Sequence, residues 1–279
     1  MNAPTKKLPP PPARAPGNGG GAPPAVAGSA ARELAIVGGR ISGAQRIVEY
    51  GPGGVGKSSL AALAPNPVFL DLEHGTRALD VLRVERIETF ADLHACLRSQ
   101  ALDPYQTIVL DTMTRAEELA VAHTLANVPN EKGNTVKNIE AYGYGKGYQH
   151  VYDTMLLLLA DLDAHIRRGR NVILICHDCT ADVPNPAGDD YIRYEPHLQA
   201  SKSGKASIRN RVVQWADHVL FLGYDVISDD GKGKGTGTRT IWTYQLPTHI
   251  AKSRTVRLSL PFRSADDGEI WEHILGGGK

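Results

Sequence analysis

The stretch "EYGPGGVGKSSLAALA", Glu49 to Ala64, constrains this chain more than any other. It fits G-x-x-x-x-G-K-[ST] at every fixed position, through Gly51, Gly56, Lys57 and Ser58. "RIVEY" before it has the β-branched makeup of a strand, and "KSSLAALA" after it reads as a helix start, which is the context the motif needs. Glycines at 51, 53, 54 and 56 let the backbone curl with its N–H groups inward. The following helix adds its positive end, so the segment cradles phosphates. The expected nucleotide-binding set is Gly51, Pro52, Gly53, Gly54, Val55, Gly56, Lys57, Ser58 and Ser59. Lys57 is expected to reach the β- and γ-phosphates of ATP, and the Ser58 hydroxyl to ligate Mg2+.

A metal at such a loop needs an acidic partner at the end of a neighbouring parallel strand. "TIVLD", Thr107 to Asp111, supplies four residues suited to a buried strand and then Asp111 as the second metal ligand. Further strands read as "PVFLDLE" (67–73), "NVILICHD" (171–178) and "DHVLFLGYDV" (217–226). Helical stretches intervene, notably "FADLHACLRSQ" and "YQHVYDTMLLLLADLDAHIRRG". Strands alternating with helices predict an α/β fold, a mostly parallel sheet covered on both faces, with its ligand at the carboxyl ends of the strands. Asp71 and Glu73, two apart at the end of "FLDLE", are expected on one side of their strand, where a carboxylate can orient the water that attacks the γ-phosphate.

With 279 residues, 42% hydrophobic and 22% charged, the chain can bury one substantial core. Residues 1–32 are Pro, Gly and Ala with almost no large apolar side chain, and read as a disordered leader. Residues 33–279 then form a single ATPase domain. The chain has neither the apolar run of a signal peptide nor a stretch that suggests a membrane span, so no membrane partner and a cytoplasmic setting are expected. Its three cysteines do not make a disulfide framework; Cys176 and Cys179 form a C-x-x-C with no second pair at zinc-ribbon spacing, and Cys176 reads as the small hydrophobe ending a strand. A net charge of +1 argues against coating in nucleic acid by bulk charge, so any such contact must come from local patches.

"VFLDLEHGTRALD" is similar to the corresponding strand of RecA, F-I-D-A-E-H, and the resemblance puts the water-activating role on Glu73. The order of phosphate loop, Glu strand, Asp strand and a strand ending in a polar sensor is also RecA-like. "GPGGVGKSS", "YGYGKGY", "WADHVLF" and "AKSR" together resemble the phage-encoded RecA-like ATPases of the single-strand annealing and recombination group, over about residues 46–262. This implies a RecA-like P-loop core, ATP and Mg2+ as cofactors, single-stranded DNA as a partner, and assembly with further copies of the chain as ring or filament. A single-strand DNA-binding protein is a further candidate partner, and a bacterial host cell carrying phage or prophage the implied setting. By position, His177 matches the γ-phosphate sensor, where the family has Gln. The K-x-R of "HIAKSRTVRL", Lys252 and Arg254, matches cations that reach a neighbouring subunit's γ-phosphate; on a strand both point one way.

Two stretches carry groups suited to a single strand. Asp178 to Asn210 has little apolar periodicity and reads as a long loop, and from Ser201 onward Lys202, Lys205, Arg209 and Arg211 follow without an acid. Its earlier acids would repel DNA, and a solvated lid is the alternative. In "NTVKNIEAYGYGKGYQH", Tyr144 and Lys146 are candidate stacking and phosphate contacts, with packing of the tyrosines beneath the next helix as the alternative. "DDGKGKGTGTR" reads as a solvated hairpin tip. The expected function is ATP hydrolysis coupled to binding single-stranded DNA in annealing or recombination. A P-loop kinase of a small substrate and a nucleotide-gated assembly protein are the rivals.

Overall fold

The structure is a computed structural model, and it describes residues 38–39, 43–201, 205–229 and 232–276. Two compact units are distinguished, Met1–Ile41 and Ser42–Lys279. The expected leader, residues 1–32, lies outside the described residues, as does Lys202. Every described strand and helix belongs to the second unit.

Eleven strands and six helices are described: β1 (Arg46–Tyr50), α1 (Lys57–Ala62), β2 (Pro67–Asp71), β3 (Leu82–Val84), α2 (Phe90–Leu97), β4 (Thr107–Asp111), α3 (Met113–Asn127), α4 (Lys146–Arg167), β5 (Asn171–Cys176), β6 (Asp178–Val183), β7 (Tyr191–Pro196), α5 (Ile208–Trp215), β8 (His218–Asp229), β9 (Lys232–Trp242), β10 (Lys252–Ser253), β11 (Ser259–Pro261) and α6 (Glu269–Ile274). Nine strands form one sheet in the order β11-β9-β8-β1-β5-β4-β2-β3, with β10 also on β8. From β3 to β8 every pairing is parallel; β9, β10 and β11 join antiparallel.

The parallel strands are apolar runs because both their faces are covered. On one face Val48, Val68, Leu70, Ile108, Leu110, Val172 and Leu174 pack under α2, α3, α4 and α5. On the other, Ile47, Phe69, Val109, Ile173 and Leu220 pack under α1 and α6, and the Trp271 indole N–H donates to Leu60 O at 2.9 Å to hold those two helices together. The mostly parallel, helix-flanked sheet is as expected. β5 separates the phosphate-loop strand β1 from the Asp strand β4, and β2 lies beyond β4.

Three expectations are corrected. The segment from Asp178 to Asn210 is not one long loop: β6 and β7 pair antiparallel from Asp178↔Pro196 to Val183↔Tyr191, and α5 begins at Ile208. Both hairpin strands mostly alternate between half-buried and exposed positions, with β7 ending in the buried Glu195 and Pro196, so neither shows an apolar face in sequence. The glycine and lysine stretch after Asp229 is largely the strand β9, paired with β8, rather than a hairpin tip. Finally, β2 ends at Asp71, so Asp71 and Glu73 do not share a strand face; Glu73 lies in the turn beyond.

Candidate nucleotide site

β1 delivers the chain to the phosphate loop at the carboxyl edge of the sheet. Only glycine fits there at two points. A Cβ on Gly51 would lie 2.0 Å from Leu222 O, and one on Gly56, where φ is 107°, would lie 2.6 Å from Phe262 Cε1. The loop is thus pressed against β8 and the chain just after β11. Lys57 is buried, and its ammonium donates to Gly51 O at 2.6 Å and Pro52 O at 2.9 Å. Burial pulls its pKa down, against Asp178, Asp111, Cys176 and Glu49, which push it up. It is a cation held ready at the loop by weak acceptors that a phosphate oxygen would replace.

The Ser58 hydroxyl donates to Asp111 Oδ2 at 2.6 Å. Asp111 comes from the end of β4, two strands away, and burial raises its pKa to about 6, with Asp71 and Glu73 adding to the rise and the Ser58 bond and Lys57 opposing it. A half-buried hydroxyl and a buried carboxylate in contact are hard oxygen donors of the kind that suit Mg2+. The pair therefore fits the expected metal site. Beneath it Glu49 of β1 is fully buried with neither carboxylate oxygen hydrogen-bonded; burial and then Asp111 push its pKa well above the usual range, against Lys57.

Glu73 is placed by the turn after β2. Asp71 Oδ1 accepts from Gly75 N at 3.1 Å, and its Oδ2 accepts from Thr76 N at 3.0 Å and the Thr76 hydroxyl at 2.5 Å. Burial works against its ionisation, but the Thr76 and Gly75 donors outweigh it and hold the carboxyl below its usual value. Asp71 is committed to shaping the turn. Glu73 instead accepts from the hydroxyl of Thr112, the residue directly after Asp111, and lies 3.1 Å and 3.2 Å from His177 Nε2. The His177 N–H is anchored on the Thr114 hydroxyl at 3.2 Å. Lys57, Ser58, Asp111, Glu73 and His177, chosen from sequence, thus stand together along the carboxyl ends of β1, β4, β2 and β5.

Residues without a motif complete the surroundings. The Arg239 guanidinium donates to Val55 O at 2.9 Å and lies 4.5 Å over the Phe262 ring, while the Tyr224 hydroxyl comes within 3.7 Å of a Cβ built on Gly54. Tyr224 and Arg239 are cross-strand partners on β8 and β9. Nothing local in the sequence marks them, since their relevance comes from strand pairing.

The other expected contacts are scattered. Lys252 and Arg254 belong to the opposite end of the sheet: Lys252 pairs with Val219, itself beside Val48, and Arg254 Nε bonds Asp217 Oδ1 at 2.8 Å, next to Arg46. Only Lys252 and Ser253 are strand. Arg254 is five residues of β1 below Gly51, or roughly 16 Å. Arg209 does not face solvent: its guanidinium pairs with Glu195, donates to Leu198 O at 3.1 Å, and shares Glu195 with Arg193. This corrects its reading as a free cation for DNA. Lys205 and Arg211 are exposed. Tyr144 is fully exposed with φ 50°, and Lys146 pairs with Glu131, whereas Tyr142 is buried and donates to Thr124 O and Val128 O at 3.1 Å and 2.6 Å. Among the described residues no group of three or more His, Cys, Asp or Glu could hold a metal, and no helix is long and apolar enough to cross a membrane.

A phosphate loop on a parallel sheet, with a hydroxyl–carboxylate pair beside it, defines a P-loop NTPase. Residues 44–255 match the AAA domain family, and the chain belongs to that family. Among solved structures it is similar to a KaiC-like protein from the hyperthermophilic archaeon Pyrococcus horikoshii OT3, at 13% identity and a TM-score of 0.42 over 80% of this chain and 88% of that one. It is also similar to the RadB recombinase, at 15% identity and a TM-score of 0.39 over 81% of this chain and 90% of that one. At these values neither likeness bears on function. Among curated protein sequences no match is found.

Proposed function

We propose that this protein hydrolyses ATP with Mg2+ and uses the cycle to bind and release single-stranded DNA in annealing or homologous recombination, as an assembly of several copies. The observation that carries the ATPase part is the Ser58–Asp111 contact with Glu73 alongside, joined to Asp111 through Thr112. Ser58 and Asp111 would hold Mg2+, which neutralises charge on the phosphates. The loop amides and Lys57 bind and orient the β- and γ-phosphates. Glu73 takes the proton of the attacking water at the oxygen not bonded to Thr112, once His177 turns from it, while Thr112 keeps its carboxylate aimed. His177 Nε2, which meets Glu73, would turn to a γ-phosphate oxygen as the sensor.

Support for the DNA part is that β6 follows His177 directly, so a hairpin and the exposed Lys205 and Arg211 are continuous in the chain with the nucleotide site. Tyr144 offers an unencumbered ring for stacking. A cytoplasmic protein of phage or prophage origin is part of this reading. Filter binding of a single-stranded oligonucleotide, with and without ATP, tests it beside an ATPase assay. Retention that changes with ATP supports it. Hydrolysis without retention leaves a nucleotide-gated assembly protein, and phosphate transfer to a small acceptor makes the chain a kinase.

A further inference from the structure

Beyond β2, on the side away from β4, a cleft of about 270 Å³ is lined by Asp71, His74, Arg77, Arg83, Val84, Glu85 and Arg86. Three arginines line it, and among the described residues none of Arg77, Arg83 and Arg86 has an ion pair with a carboxylate. The acids present do not neutralise them. Asp71 spends its oxygens on Gly75 and Thr76, and Glu85 is an exposed rim residue.

The cleft is also built rather than incidental. Arg83 is braced by Nη2 donating to Leu79 O at 2.7 Å, yet its Nε is buried without a partner. Buried donors are nearly always paired, so this orphan leaves the Arg83 guanidinium short of an acceptor. The two ends of the lining segment, His74 and Arg86, have φ of 56° and 63°, a left-handed backbone that is uncommon outside glycine and tends to persist where function holds it.

We infer that His74, Arg77, Arg83 and Arg86 form a second phosphate site, separate from the P-loop, that binds a phosphate group through the planar guanidinium fork. Arginine presents paired donors at the spacing of two phosphate oxygens, which suits this anion better than a lone carboxylate or halide. His74 follows Glu73 immediately, so the cleft shares the turn after β2 with the residue assigned to activate water. The phosphate can belong to a nucleic-acid strand or to a free ligand such as pyrophosphate.

The test uses the full chain and two variants, R77Q/R86Q, which alters only exposed residues, and K57A, which alters the P-loop. Calorimetric titration with pyrophosphate should show two binding events in the unaltered protein, one lost in R77Q/R86Q and the other in K57A. That separates this site from the ATPase reading, whose failure would remove only the K57A-sensitive event. A fluorescent oligonucleotide, followed by anisotropy at low salt, identifies the source. At least tenfold weaker binding in R77Q/R86Q, with a salt slope smaller by about 0.7 for each phosphate no longer neutralised, assigns the phosphate to a strand. Unchanged oligonucleotide binding with the pyrophosphate event lost assigns it to a free ligand. If R77Q/R86Q unfolds at the same temperature as the unaltered protein and binds both probes equally well, the site does not exist.

Discussion

Glu73 and His177, 104 residues apart in sequence, meet with His177 Nε2 3.1 Å and 3.2 Å from the two Glu73 oxygens. The contact links the turn after β2 to the end of β5 across β4. Both side chains remain partly open, at 32% and 41% exposure, so a ligand can reach between them.

That geometry separates the two roles. Glu73→Gln keeps the size of the side chain and its acceptor oxygen for Thr112 but cannot take a proton, so turnover should fall by roughly 10²-fold or more while ATP affinity stays within a few-fold. His177→Ala leaves the base in place and removes one of its two restraints, and should cost on the order of tenfold in kcat. Steady-state ATPase rates and nucleotide affinities measured together check both. Normal hydrolysis by Glu73→Gln would place the base elsewhere, and not on Asp71, whose oxygens are spent on the turn.

A second prediction concerns Asp111. Its folded pKa is raised to about 6, against an unfolded value near 3.9. Without metal, its protonated form stabilises the fold fully below the unfolded value, and that contribution is lost as pH rises through about 6. Mg2+ acts in the opposite sense, because it binds the ionised carboxylate and must displace the proton below pH 6. The rise in melting temperature caused by Mg2+ with ATP should therefore be larger at pH 7.5 than at pH 5. An Asp111→Asn protein should show little Mg2+ effect at either pH. An equal Mg2+ shift at both pH values in the unaltered protein would remove Asp111 from the metal site.

The third prediction divides the cations after Ser201. Arg209 shares the buried Glu195 with Arg193, at side-chain exposures of 13% and 8% for Arg209 and Glu195. Removing it strips a buried carboxylate of a partner, so Arg209→Ala should destabilise by about 3 kcal/mol. Lys205→Ala with Arg211→Ala should leave stability nearly unchanged and lower the salt slope of oligonucleotide binding by about 0.7 for each phosphate the pair had neutralised. Thermal melts and salt titrations of the two proteins distinguish them. A salt slope unmoved by the Lys205 and Arg211 changes would retire this segment as a DNA contact.

What the sequence revealed and what it concealed divide along physical lines. The loop at Gly51–Ser58 and the Asp after "TIVL" are legible because phosphate and metal chemistry fix both residue types and spacing, and because buried parallel strands are nearly pure apolar runs. α3 left a fainter trace, since its buried positions include Ala116, Ala120 and Thr124, and small side chains give a weak apolar stripe. Arg209 looked like a free cation because its neighbours in sequence carry no acid. Glu195, its partner, lies 14 residues away and arrives through the β6–β7 hairpin. Tyr224 and Arg239 meet the phosphate loop only through strand pairing, which leaves no local signature.

The last prediction concerns Lys252 and Arg254, whose position decides how they could act at all. Both belong to the amino-terminal end of β8, the far end of the sheet from the phosphate loop, and Arg254 is tied to Asp217 there. Within one chain roughly 16 Å of strand lies between Arg254 and Gly51, so Arg254 cannot reach its own γ-phosphate without refolding this edge. If they stabilise the charge that spreads over the transferring phosphoryl, they do so on a neighbouring copy. Arg254→Ala should then lower hydrolysis by on the order of 10³-fold with ATP affinity largely intact. Mixing gives the decisive measurement. An Arg254→Ala copy keeps its loop and Glu73, and a Glu73→Gln copy keeps its Arg254, so mixed assemblies contain some complete sites and activity should reappear. If light scattering confirms that the two variants co-assemble and the mixture stays inactive, Arg254 has no part in hydrolysis, because the fold has already removed its within-chain route.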